Sequence, residues 1–375
     1  MQFNKICVVL ALASMGTCVF AEGQVTLYGT IDGAVAVQKA KGSDTTVSME
    51  DGIAGGSVWG LTGVEDLGNG YSVNFTLENG YTIDNGASGE EGLAFSKQAT
   101  LGVTGGFGEL AFGRMGGLSS YEGSYSIWDA SPFGTDYLQA GLSDFTYSGN
   151  ILNNTILYAT PEFGGFKAYA QYSNGIVDDT NKWNRNSHYY GLGLTFEKGV
   201  LNAVLIWEHY DNKGSDLLSV IGTQRNKGSD VISLSVAYDF EVIKPFFGYQ
   251  YGNKLANFGE DYIVDGKGYN QNTFTIGAEA PLAGGTVKLA VNYSFGKVKG
   301  DLYGFDDNGD AFGAQLDQKK FDKIGIGAAY EHPLSKRTFV YGWGAWMKGG
   351  KALKSNFVRA DYENWSLGLG LHHDF

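Results

Sequence analysis

Gln24-Val25-Thr26-Leu27-Tyr28-Gly29-Thr30-Ile31-Asp32-Gly33-Ala34-Val35-Ala36-Val37 is the stretch on which the fold turns. Val25, Leu27, Gly29, Ile31, Gly33, Val35 and Val37 fall on one face, and Thr26, Tyr28, Thr30, Asp32 and Ala34 on the other. A period of two is the mark of a strand with one apolar and one polar side. The same alternation returns in Tyr71, Val73, Phe75 and Leu77 against Ser72, Asn74, Thr76 and Glu78. It closes the chain in Trp365, Leu367, Leu369 and Leu371 against Ser366, Gly368, Gly370 and His372.

Working outward, sixteen such segments begin near residues 23, 53, 70, 93, 107, 151, 165, 186, 200, 229, 242, 268, 284, 317, 336 and 356. Their connections alternate in length. Asp66-Leu67-Gly68-Asn69-Gly70, Gly105-Gly106, Glu197-Lys198-Gly199 and His332-Pro333-Leu334-Ser335 are short. Between them lie longer polar stretches, near 39–52, 85–92, 115–145, 176–185, 212–228, 255–267, 299–316 and 350–355. Tight turns at one end and long loops at the other are the arrangement of an all-β, 16-stranded antiparallel transmembrane barrel. An even strand number lets the last strand pair with the first, which removes the edges that hydrocarbon would not tolerate.

Composition agrees. The chain of 375 residues holds 57 glycines and only 5 prolines, with 23 tyrosines and 23 phenylalanines. Glycine disfavours helix, and aromatic residues favour strands. No stretch of 18 apolar residues marks a membrane-crossing helix, but a barrel needs apolar residues only at alternate positions. A secreted β-sandwich would alternate too. Against it stand glycine on both faces and aromatic clusters at strand ends, Phe240, Phe246 and Phe247, and Tyr341 and Trp343, which read as interfacial girdles.

Residues 1–21 read as a secretory signal: Lys5, the apolar run Ile6 to Ala13, then Val19-Phe20-Ala21 with small residues at the cleavage positions. A lipoprotein would instead use Cys18, which Thr17 suits poorly. Residues 22–375 then form one barrel domain. Both cysteines, Cys7 and Cys18, fall within the signal, so no thiol chemistry remains beyond it. The chain has 27 basic and 40 acidic residues; without Lys5 there is one basic residue fewer and the formal charge is −14. That excess opposes a nucleic-acid partner.

The residues also match a family pattern. Val25-Thr26-Leu27-Tyr28-Gly29-Thr30-Ile31-Asp32, Gly63-Val64-Glu65-Asp66-Leu67-Gly68-Asn69-Gly70, Phe107-Gly108-Glu109-Leu110-Ala111-Phe112-Gly113-Arg114, Leu157-Tyr158-Ala159-Thr160-Pro161-Glu162-Phe163-Gly164-Gly165-Phe166 and Leu367 to Phe375 occur in order. Together they resemble the trimeric general diffusion porins of Gram-negative outer membranes, of betaproteobacterial and neisserial type. The resemblance implies a homotrimer in the outer membrane, passing small hydrophilic solutes and ions, with outer-membrane lipids, lipopolysaccharide and the barrel-assembly machinery as partners. It implies a third loop, about Met115 to Asp144, folded inward to narrow the pore. Acidic residues of that loop then face basic residues of the wall. Here they are Glu122, Asp129 and Asp136, with Asp144 near the loop exit, and Arg114 falls on the wall arginine. Thr30, Val58 and Ala159 stand where the family often has Lys or Arg. On this reading the basic half of the constriction is depleted and the pore prefers cations.

Each charge has a plainer alternative, since an acid in a polar loop is usually only solvated. Arg114 could simply pin the loop. Asp32 and Glu78 fall on the inward face and would chiefly solubilise it. Phe375, on one face with Trp365, Leu367, Leu369, Leu371 and His373, resembles the terminal aromatic read during barrel assembly. No cofactor or metal is expected. Asp306-Asp307-Asn308-Gly309-Asp310 with Asp317 imitates a calcium loop but carries Ala311 where glycine is needed. The five histidines lack protease spacing, and the Gly-x-Gly step at Gly325 and Gly327 is not followed by a helix, so no enzyme is indicated. Two readings stay beside the diffusion channel: a substrate-selective channel using Tyr121, Tyr125 and Trp128, and an adhesin or structural barrel of little conductance.

Overall fold

Water inside and hydrocarbon outside demand opposite chemistry on the two faces of one sheet, with every backbone amide paired within the wall. A computed structural model describes residues 24–90, 92–147, 151–176, 179–180, 182–211, 228–258, 262–305, 311–355 and 362–375 of the chain. The signal expected at 1–21 lies outside the described residues. In chain order the strands are Gln24–Ala40 (β1), Thr46–Asp51 (β2), Val58–Gly68 (β3), Tyr71–Gly80 (β4), Gln98–Gly105 (β5), Gly108–Gly116 (β6), Ile151–Ala159 (β7), Phe166–Ser173 (β8), His188–Lys198 (β9) and Leu201–Asp211 (β10). They continue as Ser229–Tyr238 (β11), Lys244–Leu255 (β12), Tyr262–Val264 (β13), Tyr269–Leu282 (β14), Gly285–Val298 (β15), Leu302–Phe305 (β16), Ala311–Ala314 (β17), Lys320–Pro333 (β18), Thr338–Lys351 (β19) and Glu363–Asp374 (β20).

Seventeen of these form one antiparallel sheet in which β20 pairs with β1 and β1 with β3, so the wall closes. β2 and β3 share the second wall position: β2 pairs with Gly33–Gln38 of β1 and β3 with Gln24–Thr30. The barrel thus has sixteen positions, with the second one interrupted at 52–57. The sequence places one segment there, beginning near 53. It does not separate the two halves, because the break is decided by what docks into it.

The faces follow the alternation. Phe247, Ile276, Val291, Ile326, Trp346 and Trp365 are successive cross-strand partners from β12 to β20, forming one apolar row on the outside. Three residues along the strands, Ser233, Gln250, Thr273, Ser294 and Lys323 form a polar row on the inside. At the short-turn end, aromatic pairs cover the outer rim: Tyr71 with Phe107 (ring centroids 6.3 Å apart), Phe166 with Phe196 (4.6 Å) and Tyr238 with Phe240 (4.4 Å). Phe246, Tyr341 and Trp343 do not join such a girdle. All three are buried on the inward face: Phe246 lies under the Lys244 ammonium, and Tyr341 and Trp343 pack with Phe133 and Tyr137 of a folded-in loop.

At the long-loop end β13, β16 and β17 make a small antiparallel sheet of their own. Tyr262, Val264 and Leu302 from it pack with Phe258, Tyr269, Phe321, Leu353 and Tyr362, roofing one side of the mouth. β17 falls inside the region weighed as a calcium loop. Its acidic run, 306–310, lies outside the described residues.

Candidate channel constriction

The connection between β6 and β7 turns into the lumen, and the wall is built to receive it. At its start the Leu118 N–H donates to the Tyr189 hydroxyl (3.0 Å) and the Ser119 N–H to Glu208 Oε1 (3.2 Å). Tyr189 in turn donates to Glu208 Oε1 at 2.7 Å. Tyr189 and Glu208 are fully buried, so this carboxylate serves as an anchor rather than as a pore group. The Ser124 N–H and hydroxyl both donate to Gln98 Oε1, at 3.0 and 2.9 Å.

Beyond that point the loop runs over inward-facing glycines. A Cβ on Gly193 would meet Ile127 at 2.6 Å, one on Gly248 would meet Ala130 at 2.7 Å, and one on Gly277 would meet Pro132 at 2.6 Å. Gly327 sits under Ala140 and Gly325 under Phe145. The Gly-x-Gly step of β18 is therefore part of a track of missing side chains that lets one backbone lie on another.

The far end of the loop is held from several strands. Tyr137 and Leu138 take left-handed φ angles of 60° and 50°, an uncommon conformation outside glycine that needs support. Support comes from the Tyr137 N–H, which donates to Ile53 O at 2.7 Å in the gap between β2 and β3. The Tyr137 hydroxyl donates to Glu331 Oε1 at 2.5 Å, and its ring packs edge-on against Tyr341 (5.6 Å) and Trp343 (6.5 Å). Asn292 donates to Ala140 O and Gly141 O, Ser366 to Gln139, and Gln271, Thr273 and Ser294 all to Phe145 O. The Lys323 ammonium donates to Asp144 O.

The charges divide into two kinds. One kind is ion-paired: Lys97 with Glu122 (2.9 Å), Arg114 with Glu90 (2.7 Å), Lys288 with Glu331 (2.5 Å), and Lys244 at 4.0 Å from both Asp129 and Glu279. The other kind is held by tyrosine: Tyr28 donates to Glu78 at 2.8 Å and Tyr125 to Glu109 at 2.9 Å. Burial first, then the Glu109 charge, pushes the Tyr125 hydroxyl well above its ordinary range, so it stays a donor. Burial likewise raises the Asp129 carboxyl above the usual range; Lys244 opposes the rise, and Glu279 and Glu197 add to it.

Of the residues singled out from sequence, Glu122 and Asp129 lie on the loop, each beside a wall-side lysine. Asp136 follows them near the tip, within electrostatic reach of Tyr121 and Tyr137. Arg114 does not face these acids. It binds Glu90 of the preceding long loop, Asn153 (2.5 Å) and Ser96 O (2.9 Å). Glu78 sits on the inward face. Asp32 is wholly buried, accepting from Tyr341 at 2.7 Å and bonded to His372 Nδ1 at 3.0 Å, so it ties β1 to β19 and β20 instead of wetting the lumen. Thr30 donates to Asp374 at 2.8 Å. Phe375 pairs with Gly29 through backbone bonds of 2.9 and 3.2 Å, and its ring fills the space above that glycine.

The expectation of a depleted basic side needs correction. Lys97, Lys244, Lys288 and Lys323 supply cations along the loop's path, from positions other than Thr30, Val58 and Ala159. Their signal was in the sequence: Lys288 interrupts Val287 and Leu289, and so falls on the polar face of its strand.

A closed barrel, apolar outside and polar within, narrowed by a loop pinned across its lumen, is a membrane channel. The chain belongs to the Gram-negative porin family, whose model matches residues 8–352. It is 30% identical to an outer membrane porin of Bordetella pertussis, with 97% of each chain covered. It is 28% identical to the major outer membrane protein P.IB of Neisseria meningitidis serogroup B, covering 99% of this chain and 100% of that one. Among solved structures it is similar to the anion-selective porin of Comamonas acidovorans: TM-score 0.65, 26% identity, 94% of this chain and all of the other. The fold is also shared with OmpT of Vibrio cholerae in its trimer form, at TM-score 0.58 and 15% identity over 94% and 99% of the two chains. The protein is an outer-membrane porin, and its relatives are channels, not enzymes.

Proposed function

We propose that this porin passes ions and small hydrophilic solutes by passive diffusion, that cations are favoured, and that it acts as a homotrimer. The observation that carries the ion preference is the pairing pattern at the loop. Glu78 and Glu109 accept from tyrosine hydroxyls, and among the described residues neither forms an ion pair. Asp129 and Glu279 share Lys244, at 4.0 Å from each, and Glu197 adds a further negative charge near Asp129. Fixed charge lining a narrow aqueous path sets ion preference. Glu122, Asp129 and Asp136 on the loop act in this reading as constriction residues.

Zero-current potentials across a planar bilayer under a potassium chloride gradient test this. The sign should report cation preference, and Glu109→Gln should reduce the cation-to-anion permeability ratio by about twofold. The opposite sign, the behaviour named for the Comamonas porin, would overturn the reading. Conductance steps in groups of three support the trimer. Export by removal of residues 1–21 is checked by N-terminal sequencing of the membrane-extracted protein, which should begin at Glu22.

A further inference from the structure

Asp32 is wholly buried at the closing seam, and a buried carboxylate needs a counter-charge. His372 of β20 supplies it. Its Nδ1 stands 3.0 Å from Asp32 Oδ2, and its Nε2 stands 3.3 Å from Asp374 Oδ1. The ring stacks on Phe339 of β19, with centroids 4.4 Å apart and planes 18° apart, which holds both nitrogens toward carboxylates. The Asp374 oxygen that meets the ring also accepts from Thr30 at 2.8 Å, and its side chain is 55% exposed, so it acts as an acceptor. A neutral imidazole has one donor and one acceptor, whereas an ionised carboxylate only accepts. Both ring nitrogens therefore need a hydrogen, and a ring with two N–H groups is an imidazolium.

This pair reaches the constriction loop through the break in the second wall position. Asp32 Oδ1 accepts from the Tyr341 hydroxyl at 2.7 Å and from the Ala54 N–H at 3.3 Å. The Asp32 carbonyl takes the Gly52 N–H at 3.2 Å, and the Asp32 N–H donates to Ser57 Oγ at 3.1 Å. Gly55 lies against the His372 ring, where a Cβ would come within 3.2 Å. Asp32 and His372 thus hold residues 52, 54, 55 and 57. Ile53, between them, presents the carbonyl that receives the Tyr137 N–H at 2.7 Å. The other ionisable groups around the seam are Asp51, which accepts from Ser57 at 2.7 Å, Tyr81, which donates to Thr30 O, and Asp136, which reaches Tyr341 from the loop. Beyond Tyr137 stands the Lys288–Glu331 pair. Among the described residues that bond Asp32, His372 is the cation.

We infer that His372 is a positioning residue for the constriction loop: as an imidazolium it holds Asp32, and Asp32 sets residues 52–57 in the form that receives Tyr137. Loss of one ring proton turns an N–H donor into a lone pair facing a carboxylate. The buried charge of Asp32 is then unmatched. Residues 52–57 shift to relieve it, and the loop tip, whose left-handed Tyr137 is supported by Ile53 O, is released. The channel is quiet while His372 is charged and loosens as alkali removes its proton. The inference rests on the β6–β7 loop being the constriction, but the charge of the ring is measurable without it.

NMR of the full-length protein, folded in detergent with nitrogen-labelled histidine, reads the protonation of each ring. His372→Arg assigns the His372 signals by their loss. Both His372 nitrogens should carry hydrogen at neutral pH. Single-channel records are taken at neutral pH and in alkali. Open-state noise of the natural protein should rise severalfold in alkali. His372→Arg keeps a cation with N–H donors and should stay quiet at both; His372→Gln should be noisy at both. A His372 nitrogen without hydrogen at neutral pH overturns the charge. A natural protein that stays quiet after the ring has lost its proton overturns the positioning role, and so does His372→Arg turning as noisy in alkali as the natural protein, or a quiet His372→Gln. If His372→Gln fails to assemble, the natural protein and His372→Arg still decide. Zero-current potentials at neutral pH are a separate reading, so failure of the cation preference and failure of this role are distinguishable.

Discussion

Asp129 shows how much one residue depends on its neighbours. A third of its side-chain surface stays open to water, at 33%, while Lys244 stands 4.0 Å away. Its carboxyl is raised by burial, so the fold favours the protonated form relative to an unfolded chain. The resulting contribution to stability is full below the ordinary carboxylate pKa and is lost as pH rises through the raised one. Asp129→Asn should therefore be at least as stable as the natural protein at neutral pH. It should also flatten the fall in cation preference between pH 7 and pH 4, measured from zero-current potentials. If the natural protein shows no such fall, or the Asp129→Asn variant falls just as steeply, Asp129 is not a pore charge. Phe375 belongs to the same scale. Its ring covers Gly29 at the closing seam, so its deletion should reduce the yield of assembled barrels, counted as heat-modifiable protein in outer membranes, more than the conductance of those that assemble.

At the scale of the element, the inward loop is held by backbone contact over glycines and by buried polar anchors. Gly277→Val would press on Pro132, and overpacking of this kind costs about 1–3 kcal/mol. The relief available is for the loop to lift. Single-channel records of the variant should show a noisier open state than the natural channel; a quiet record of normal amplitude would mean the track does not set the loop's position. Glu208→Leu removes the acceptor for Ser119 and Tyr189 at the loop's start. Leaving such buried donors unmet costs about 1–3 kcal/mol, and the same noise should appear there without any change in ion preference. The broken second wall position belongs to this element too. Its free carbonyl at Ile53 exists for Tyr137, and neither end of that bond is explicable alone.

For the whole molecule, closure of the sheet gives the membrane an unbroken apolar cylinder and leaves the long connections at one rim. The connections carrying β13, β16 and β17 are packed by Phe258, Tyr262, Phe321 and Leu353 into a roof over one side of the mouth. On the proposed reading the polar route runs beside the loop, past Glu78, Glu109 and Asp129. Solutes larger than the space left there should be excluded whatever their charge. Liposome-swelling rates for neutral sugars of increasing size should fall steeply, and those of a noisy-loop variant less so.

By itself the sequence determined the sixteen wall positions of the barrel and the alternation of their faces. Alternation is a local property, and a residue such as Leu27 or Thr275 meets lipid or lumen by parity alone. It also determined that the connection after β6 carries acids, and that Phe375 ends an apolar face. The tertiary structure decided what those charges touch. Arg114 comes from β6 and Glu90 from the connection before β5, Asp32 and His372 from opposite ends of the chain, and Lys244 and Asp129 from a strand and a loop more than a hundred residues apart. Parity gives a side chain its face but not its partner across the lumen. It also could not show that Tyr341 and Trp343 turn inward, because only the loop folded against them gives an aromatic ring apolar company on the wet side of the wall.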